Sequence, residues 1–183
     1  MPMSSSGMPV VLRIALISVV LVAGIYDLRF RRIPNWLNLS GVILGVGINT
    51  LLFEQHGLAA STLGLLCALG IYVPLYLIRG MGAGDVKLMA AVGAIAGPEN
   101  WLWIFLATAL LGGFVSLVFV AIKGRFHQTI LNLILIVAEL SHFRLPSEKD
   151  SRLDVRNKEA LRIPHGALIA TGSMAFLLFN AVA

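Results

Sequence analysis

Hydrophobic residues fill long, nearly continuous runs of this chain, and short polar breaks separate the runs. A run of about 20 apolar residues is long enough to cross the hydrocarbon core of a bilayer as an α-helix. The pattern therefore predicts an all-α, polytopic membrane protein with about six transmembrane helices. The predicted spans are 9–26, 36–53, 58–78, 86–97, 101–122 and 164–183.

The fourth predicted span is short. Residues 86–97 would form only about 18 Å of helix, whereas the hydrocarbon core is about 30 Å thick. If this run failed to cross, the basic stretch 123–162 would lie outside the cell, against the tendency of basic loops to stay in the cytoplasm. We therefore expect a short fourth helix that the glycine-rich segment before it extends.

The composition and the distribution of charge predict how the chain is oriented in the membrane. Hydrophobic residues make up 58% of the chain and charged residues 13%, against about 25% charged residues in soluble domains. The net charge of +5 would suggest nucleic-acid binding in a soluble protein. Here every Lys and Arg except Arg13 falls on the predicted cytoplasmic side, so the charge predicts membrane orientation with the N-terminus outside. The expected partner is the lipid bilayer, and nucleic acid is not expected.

Residues 123–162 form the only long polar connection, which we predict to be a cytoplasmic loop. Within it, 129–140 is apolar and of a length that suits an interfacial or re-entrant helix. The whole chain, 1–183, is predicted to be a single membrane-embedded domain. One cysteine and no HExxH sequence leave no ligand set for zinc, so we predict neither a metal nor a cofactor.

Two aspartates at predicted helix ends are candidates for chemistry. Asp27 ends the first span and Asp85 precedes the fourth, both on the cytoplasmic side. Two carboxylates that share a site cannot easily both ionise, so one keeps a proton while the other can deprotonate a water molecule. That pairing is the chemistry of aspartic proteolysis. The alternative is that Asp27 pairs with a neighbouring arginine and that Asp85 caps its helix or pairs with Lys87.

Three alternating glycines, Gly80, Gly82 and Gly84, precede Asp85. They leave the backbone free and would let an extended substrate approach closely. We expect Gly84 to adopt a conformation, such as a positive φ, that a Cβ atom would penalise, so that Gly84→Ala would lose activity. The alternative is that these glycines only relieve crowding between helices.

Three segments together resemble a known family. Gly82-Ala83-Gly84-Asp85-Val86-Lys87-Leu88 is similar to the GxGD motif of intramembrane aspartyl proteases, in the form typical of type IV prepilin peptidases. The segment from Asp27 to Ile33-Pro34-Asn35 resembles the other aspartate region of that family. Ile163-Pro164-His165-Gly166-Ala167 is similar to the motif that opens the last helix. The paired CxxC region of bifunctional members is missing, which suggests the short tight-adherence (Flp-type) branch.

The resemblance covers essentially the whole chain, and it implies an aspartic endopeptidase of the bacterial inner membrane. Such an enzyme removes the short leader of type IV (Flp-like) prepilins or pseudopilins at the cytoplasmic face, with Asp27 and Asp85 as catalytic pair. The pilus assembly machinery would be a further partner. His165 stands where an aromatic residue is usual, and we interpret it as part of the lining. The candidate substrate-binding residues are Gly82, Gly84, Lys87, Pro34, Asn35 and Pro164.

Two other classes of function stay open. A small proton- or cation-coupled transporter could use the same aspartates between helices, although it leaves the Ile-Pro segments unexplained. A non-catalytic membrane anchor of a pilus machine needs neither aspartate. Replacement of either aspartate by asparagine distinguishes these three functions, because a protease loses cleavage, a transporter loses flux and an anchor loses neither.

Overall fold

The computed structural model describes residues 8–78, 80–122 and 165–182. This part of the chain contains no strands and forms four α-helices, of which the first three are long and apolar enough to cross a membrane. These helices confirm the predicted all-α architecture with membrane-spanning lengths. The six crossings and the outside N-terminus stay predictions. The helices are α1 Val10–Phe30, α2 Asn35–Leu77, α3 Ala83–Ile122 and α4 His165–Val182.

Three predictions fall outside the described residues. They are the cytoplasmic loop 123–162, the interfacial or re-entrant helix 129–140 within it, and the binding role of Pro164. The expected extension of the short fourth helix is observed, because α3 begins at Ala83, within the glycine-rich segment.

Helix α2 consists of two arms that fold back on each other at Glu54, whose backbone is non-helical (φ 52°, ψ −129°). The Ser61 hydroxyl donates to the Gly45 carbonyl oxygen at 3.1 Å, although the two residues are 16 positions apart. In a straight helix such residues would lie about 24 Å apart. The chain therefore reverses at Glu54, within the segment that the sequence predicts as a turn.

Helix α3 also reverses, at Gly97, which has a left-handed backbone (φ 73°, ψ 170°). Before this point α3 packs closely against the second arm of α2, where Gly93 meets Gly64. The ring of Trp101 lies 6.5 Å from that of Tyr72, which comes later in α2 than Gly64. A straight, antiparallel continuation of α3 would carry Trp101 towards earlier residues of α2, so the chain turns back.

A buried polar cluster holds the two reversals together. Pro98 has no N–H, so the carbonyl group of Ala94 lacks its helical hydrogen-bond partner. The Asn49 amide donates to the carbonyl oxygens of Ala94 and Ile95 at 3.2 and 3.1 Å. The Ser61 hydroxyl lies within hydrogen-bond distance of both the Ala94 and the Gly45 carbonyl oxygens and shares its one hydrogen between them. An unpaired carbonyl group in a lipid environment costs several kcal/mol. These side chains therefore stabilise the break at Pro98.

Helix α4 packs between α1 and the second arm of α3, at positions where small residues allow close approach. Gly24 of α1 faces Ala170 of α4, and Gly172 of α4 faces Thr108 of α3. This packing brings the end of α1 and the starts of α3 and α4 to one end of the bundle. The largest fully buried side chains between the helices include Leu16, Leu88, Met89, Trp101 and Ile169.

Candidate functional site

The carboxylate of Asp27 is held by the first turn of α4. Asp27 lies near the end of α1 and is 8% exposed. The backbone N–H of Gly166 donates to Asp27 Oδ2 at 2.8 Å. Gly166 is the second residue of α4, where backbone N–H groups have no partner within the helix and the helix dipole favours negative charge. The start of α4 thus holds the Asp27 carboxylate in place through this hydrogen bond.

Only glycine fits at position 166. A Cβ atom there would lie 2.9 Å from Asp27 Cβ, 3.0 Å from Asp27 Oδ2 and 3.0 Å from Ile33 Cδ1. Gly166 was not among the site residues predicted from the sequence. The available clue was its place two residues after Pro164, in the segment that resembles the family's last motif.

Asp85 lies in the first turn of α3 and is half-buried. Its backbone N–H donates to the Gly82 carbonyl oxygen at 3.2 Å, and its carboxylate accepts a hydrogen bond from the Gly82 backbone N–H. The pairing of a third-position carboxylate with the N–H just before the helix is a capping arrangement. Asp85 therefore caps α3, as the alternative interpretation expected, and the cap fixes the carboxylate beside Gly82.

The expected positive φ at Gly84 is wrong. Among the described glycines only Gly97 has a positive φ, because Gly84 already lies inside the first turn of α3. A Cβ atom at Gly84 would lie 3.4 Å from Ile33 Cβ, which is an ordinary van der Waals distance. The steric demand that we expected at Gly84 occurs instead at Gly166.

The segment between α1 and α2 connects the two aspartate regions. Ile33 lies against both Gly166, which binds Asp27, and Gly84, which precedes Asp85. Two residues later, Asn35 Oδ1 accepts a hydrogen bond from the Lys87 ammonium group at 2.9 Å. The Ile33-Pro34-Asn35 segment and the Gly84–Lys87 segment therefore meet at one end of the bundle. Pro34, between Ile33 and Asn35 in the sequence, is half-buried.

Asp27 and Asp85 lie close enough for their charges to interact. Such a pair can share one proton and exchange it with a water molecule or a substrate carbonyl. Within residues 8–78, 80–122 and 165–182, no three His, Cys, Asp or Glu side chains are grouped so that they could hold a metal ion. The chemistry that this arrangement offers is acid–base chemistry.

A family model described as the type IV leader peptidase family matches residues 14–117. The match covers more than half of the chain and includes Asp27, the Ile33-Pro34-Asn35 segment and Asp85. No curated protein and no solved structure gives a significant match.

Proposed function

Because the chain belongs to the type IV leader peptidase family, we propose that it is an aspartic endopeptidase that removes the leader from Flp-like prepilins or pseudopilins. The observation that carries the proposal is the placement of two carboxylates, Asp27 and Asp85, whose charges interact at one end of an apolar helix bundle. Ionisable groups at such a position are costly in a membrane and point to function.

The two carboxylates would act as one acid–base unit. The ionised carboxylate takes a proton from water as the water oxygen attacks the scissile carbonyl carbon, and the protonated one gives its proton to the carbonyl oxygen. When the peptide C–N bond breaks, the roles reverse and the leaving amine receives a proton. The Gly166 N–H binds Oδ2 of Asp27, so we assign the proton transfers of Asp27 to Oδ1.

The exposed surroundings of Asp85 suit an extended peptide. Gly82 is exposed beside the Asp85 carboxylate, and a glycine there leaves the backbone open to a substrate strand. Exposed Asn35 and Lys87, joined by their hydrogen bond, would form one wall of the binding site together with Pro34. Pro164, just before α4, is proposed to complete it.

We propose that this end of the bundle faces the cytoplasm of a bacterial cell, with six crossings and the N-terminus outside. The basic residues Arg29, Arg31, Arg32 and Lys87 lie at this end, and basic residues concentrate on the cytoplasmic side of membrane proteins. The reversals at Glu54 and Gly97 would then lie at the opposite surface.

The test is cleavage of a candidate prepilin by the detergent-purified protein, with the N-terminus of the product sequenced. Asp27→Asn and Asp85→Asn should each abolish cleavage, and the double variant should be no worse, because residues that act as a unit are not additive. Glu99→Gln changes an acid beside the reversal at Gly97 and should cleave like wild type. Near wild-type turnover in either aspartate variant would refute the mechanism, and ion flux in liposomes without cleavage would favour the transporter.

A further inference from the structure

Asn38 is a buried polar residue beside the site, and neither the motifs nor the proposed mechanism uses it. It is 3% exposed, and its Nδ2 lies 3.5 Å from the carbonyl oxygen of Gly84, the residue before Asp85. Its Oδ1 is buried without a hydrogen-bond partner in the described part of the chain. Asn35, three positions earlier and on the same side of α2, contacts Lys87. The two asparagines therefore contact α3 on either side of Asp85.

The contacts of Asn38 are poor as a source of stability. A separation of 3.5 Å is at the long limit for a hydrogen bond. A buried acceptor without a partner destabilises the folded state, and an apolar side chain of similar shape would avoid that cost. The resting fold alone therefore gives no reason for an asparagine at this position.

Asn49 provides the comparison, because it is a second asparagine on α2 that is also 3% exposed and also faces α3. Its amide nitrogen lies 2.9, 3.2 and 3.1 Å from the carbonyl oxygens of Gly45, Ala94 and Ile95, so both of its N–H groups have acceptors. These are good hydrogen bonds at a helix break, far along α3 from Asp85. Asn49 is explained by structure, whereas Asn38 is not.

We propose that Asn38 is a positioning residue for Asp85, which acts by holding the carbonyl group of Gly84. This inference rests on the proposed function. The Gly84 carbonyl and the Asp85 N–H belong to one planar peptide unit, so a hydrogen bond to the Gly84 oxygen orients the plane from which the Asp85 side chain projects. Hydrogen bonds that matter in catalysis are often long at rest and tighten when substrate binds. At rest this long hydrogen bond limits the movement of the start of α3, and it shortens in the substrate complex.

The kinetic test compares Asn38→Leu with Asn49→Leu. A misplacement of about 1 Å at a catalytic group can cost about 100-fold in rate, so Asn38→Leu should lower kcat by about 10- to 100-fold. Its KM should stay within about threefold of wild type, and its melting temperature should be equal or higher. Asn49→Leu should show the reverse, with a lower melting temperature and kcat within about threefold. If Asn38→Leu is not recovered from the membrane, Asn38→Ser, which is too short to reach Gly84, takes its place.

A second measurement does not depend on activity. Amide hydrogen exchange in residues 83–87 should be about tenfold faster in Asn38→Leu and unchanged in Asn49→Leu, because only the first variant frees the start of α3. An unchanged exchange rate, or a kcat within about threefold of wild type in Asn38→Leu, would overturn the inference. If wild type cleaves no prepilin, the proposed function fails by itself, and the exchange result still decides the role of Asn38.

Discussion

Among the substitutions that add a single methyl group at the site, Gly166→Ala is predicted to be the most harmful. The new methyl group would lie 2.9 Å from Asp27 Cβ and 3.0 Å from Ile33 Cδ1, whereas carbon atoms prefer about 3.5–4.0 Å. The start of α4 must therefore move away from α1 by about 0.5–1 Å. That movement stretches the hydrogen bond from Gly166 N–H to Asp27 Oδ2, now 2.8 Å, beyond the usual limit of about 3.2 Å.

The energetic consequences differ for activity and for stability. Loss of a hydrogen bond to a charged group costs about 1.5–3 kcal/mol, which corresponds to a roughly 10- to 150-fold lower turnover if Asp27 loses its orientation. Overpacking costs about 1–3 kcal/mol of stability, but alanine is favoured over glycine within a helix by about 1 kcal/mol. We therefore expect a small loss of stability and a large loss of cleavage.

The assay measures prepilin cleavage and the melting temperature of Gly166→Ala beside a matched control. Gly113→Ala adds the same methyl group within helix α3, at a position with no atom within 4 Å, and should behave like wild type. A Gly166→Ala variant that keeps turnover within about threefold of wild type would show that the α4 N-terminus does not orient Asp27.

Four further substitutions test the residues near the two aspartates and the packing of α2 against α3. Gly84→Ala should retain cleavage within about threefold, because its methyl group would make ordinary contact with Ile33; a deep loss of turnover would restore the steric role that the sequence suggested. Asn35→Leu and Lys87→Met should each raise KM severalfold and be non-additive when combined, since they break one hydrogen bond; fully additive effects in a double-mutant cycle would refute this. Gly64→Ala should lower the melting temperature strongly, because its Cβ would overlap a backbone carbonyl of α3; an unchanged melting temperature would contradict that packing.

The helices and their reversals were largely predictable from the sequence, because lipid-exposed and buried faces are both apolar and the polar breaks mark where helices stop. The predicted break 54–57 includes the observed reversal at Glu54, and the predicted break 98–100 directly follows the observed reversal at Gly97. The early start of α3 at Ala83 was also predictable, since residues 86–97 alone were too short.

The contacts within the site were less predictable. Gly166 binds Asp27 across 139 positions of sequence, and such a contact depends on how helices pack rather than on local pattern. The side chain of Asn38 contacts α3 rather than a residue of its own helix, so the spacing of residues along α2 does not reveal the contact. The error at Gly84 has a local cause: glycine permits a positive φ, but the helix already includes Gly84 and gives its backbone a negative φ.

The attachment of both aspartates to backbone N–H groups has a consequence for how the protein tolerates change. Main-chain donors at Gly166 and Gly82 are present whatever side chains surround them. Saturation mutagenesis should therefore find a sharp boundary within the first turn of α4. His165 should accept many residues, while the next position should accept glycine alone. Besides the two aspartates, the most restricted position that a mutational scan finds at this site should therefore be a residue without a side chain, Gly166.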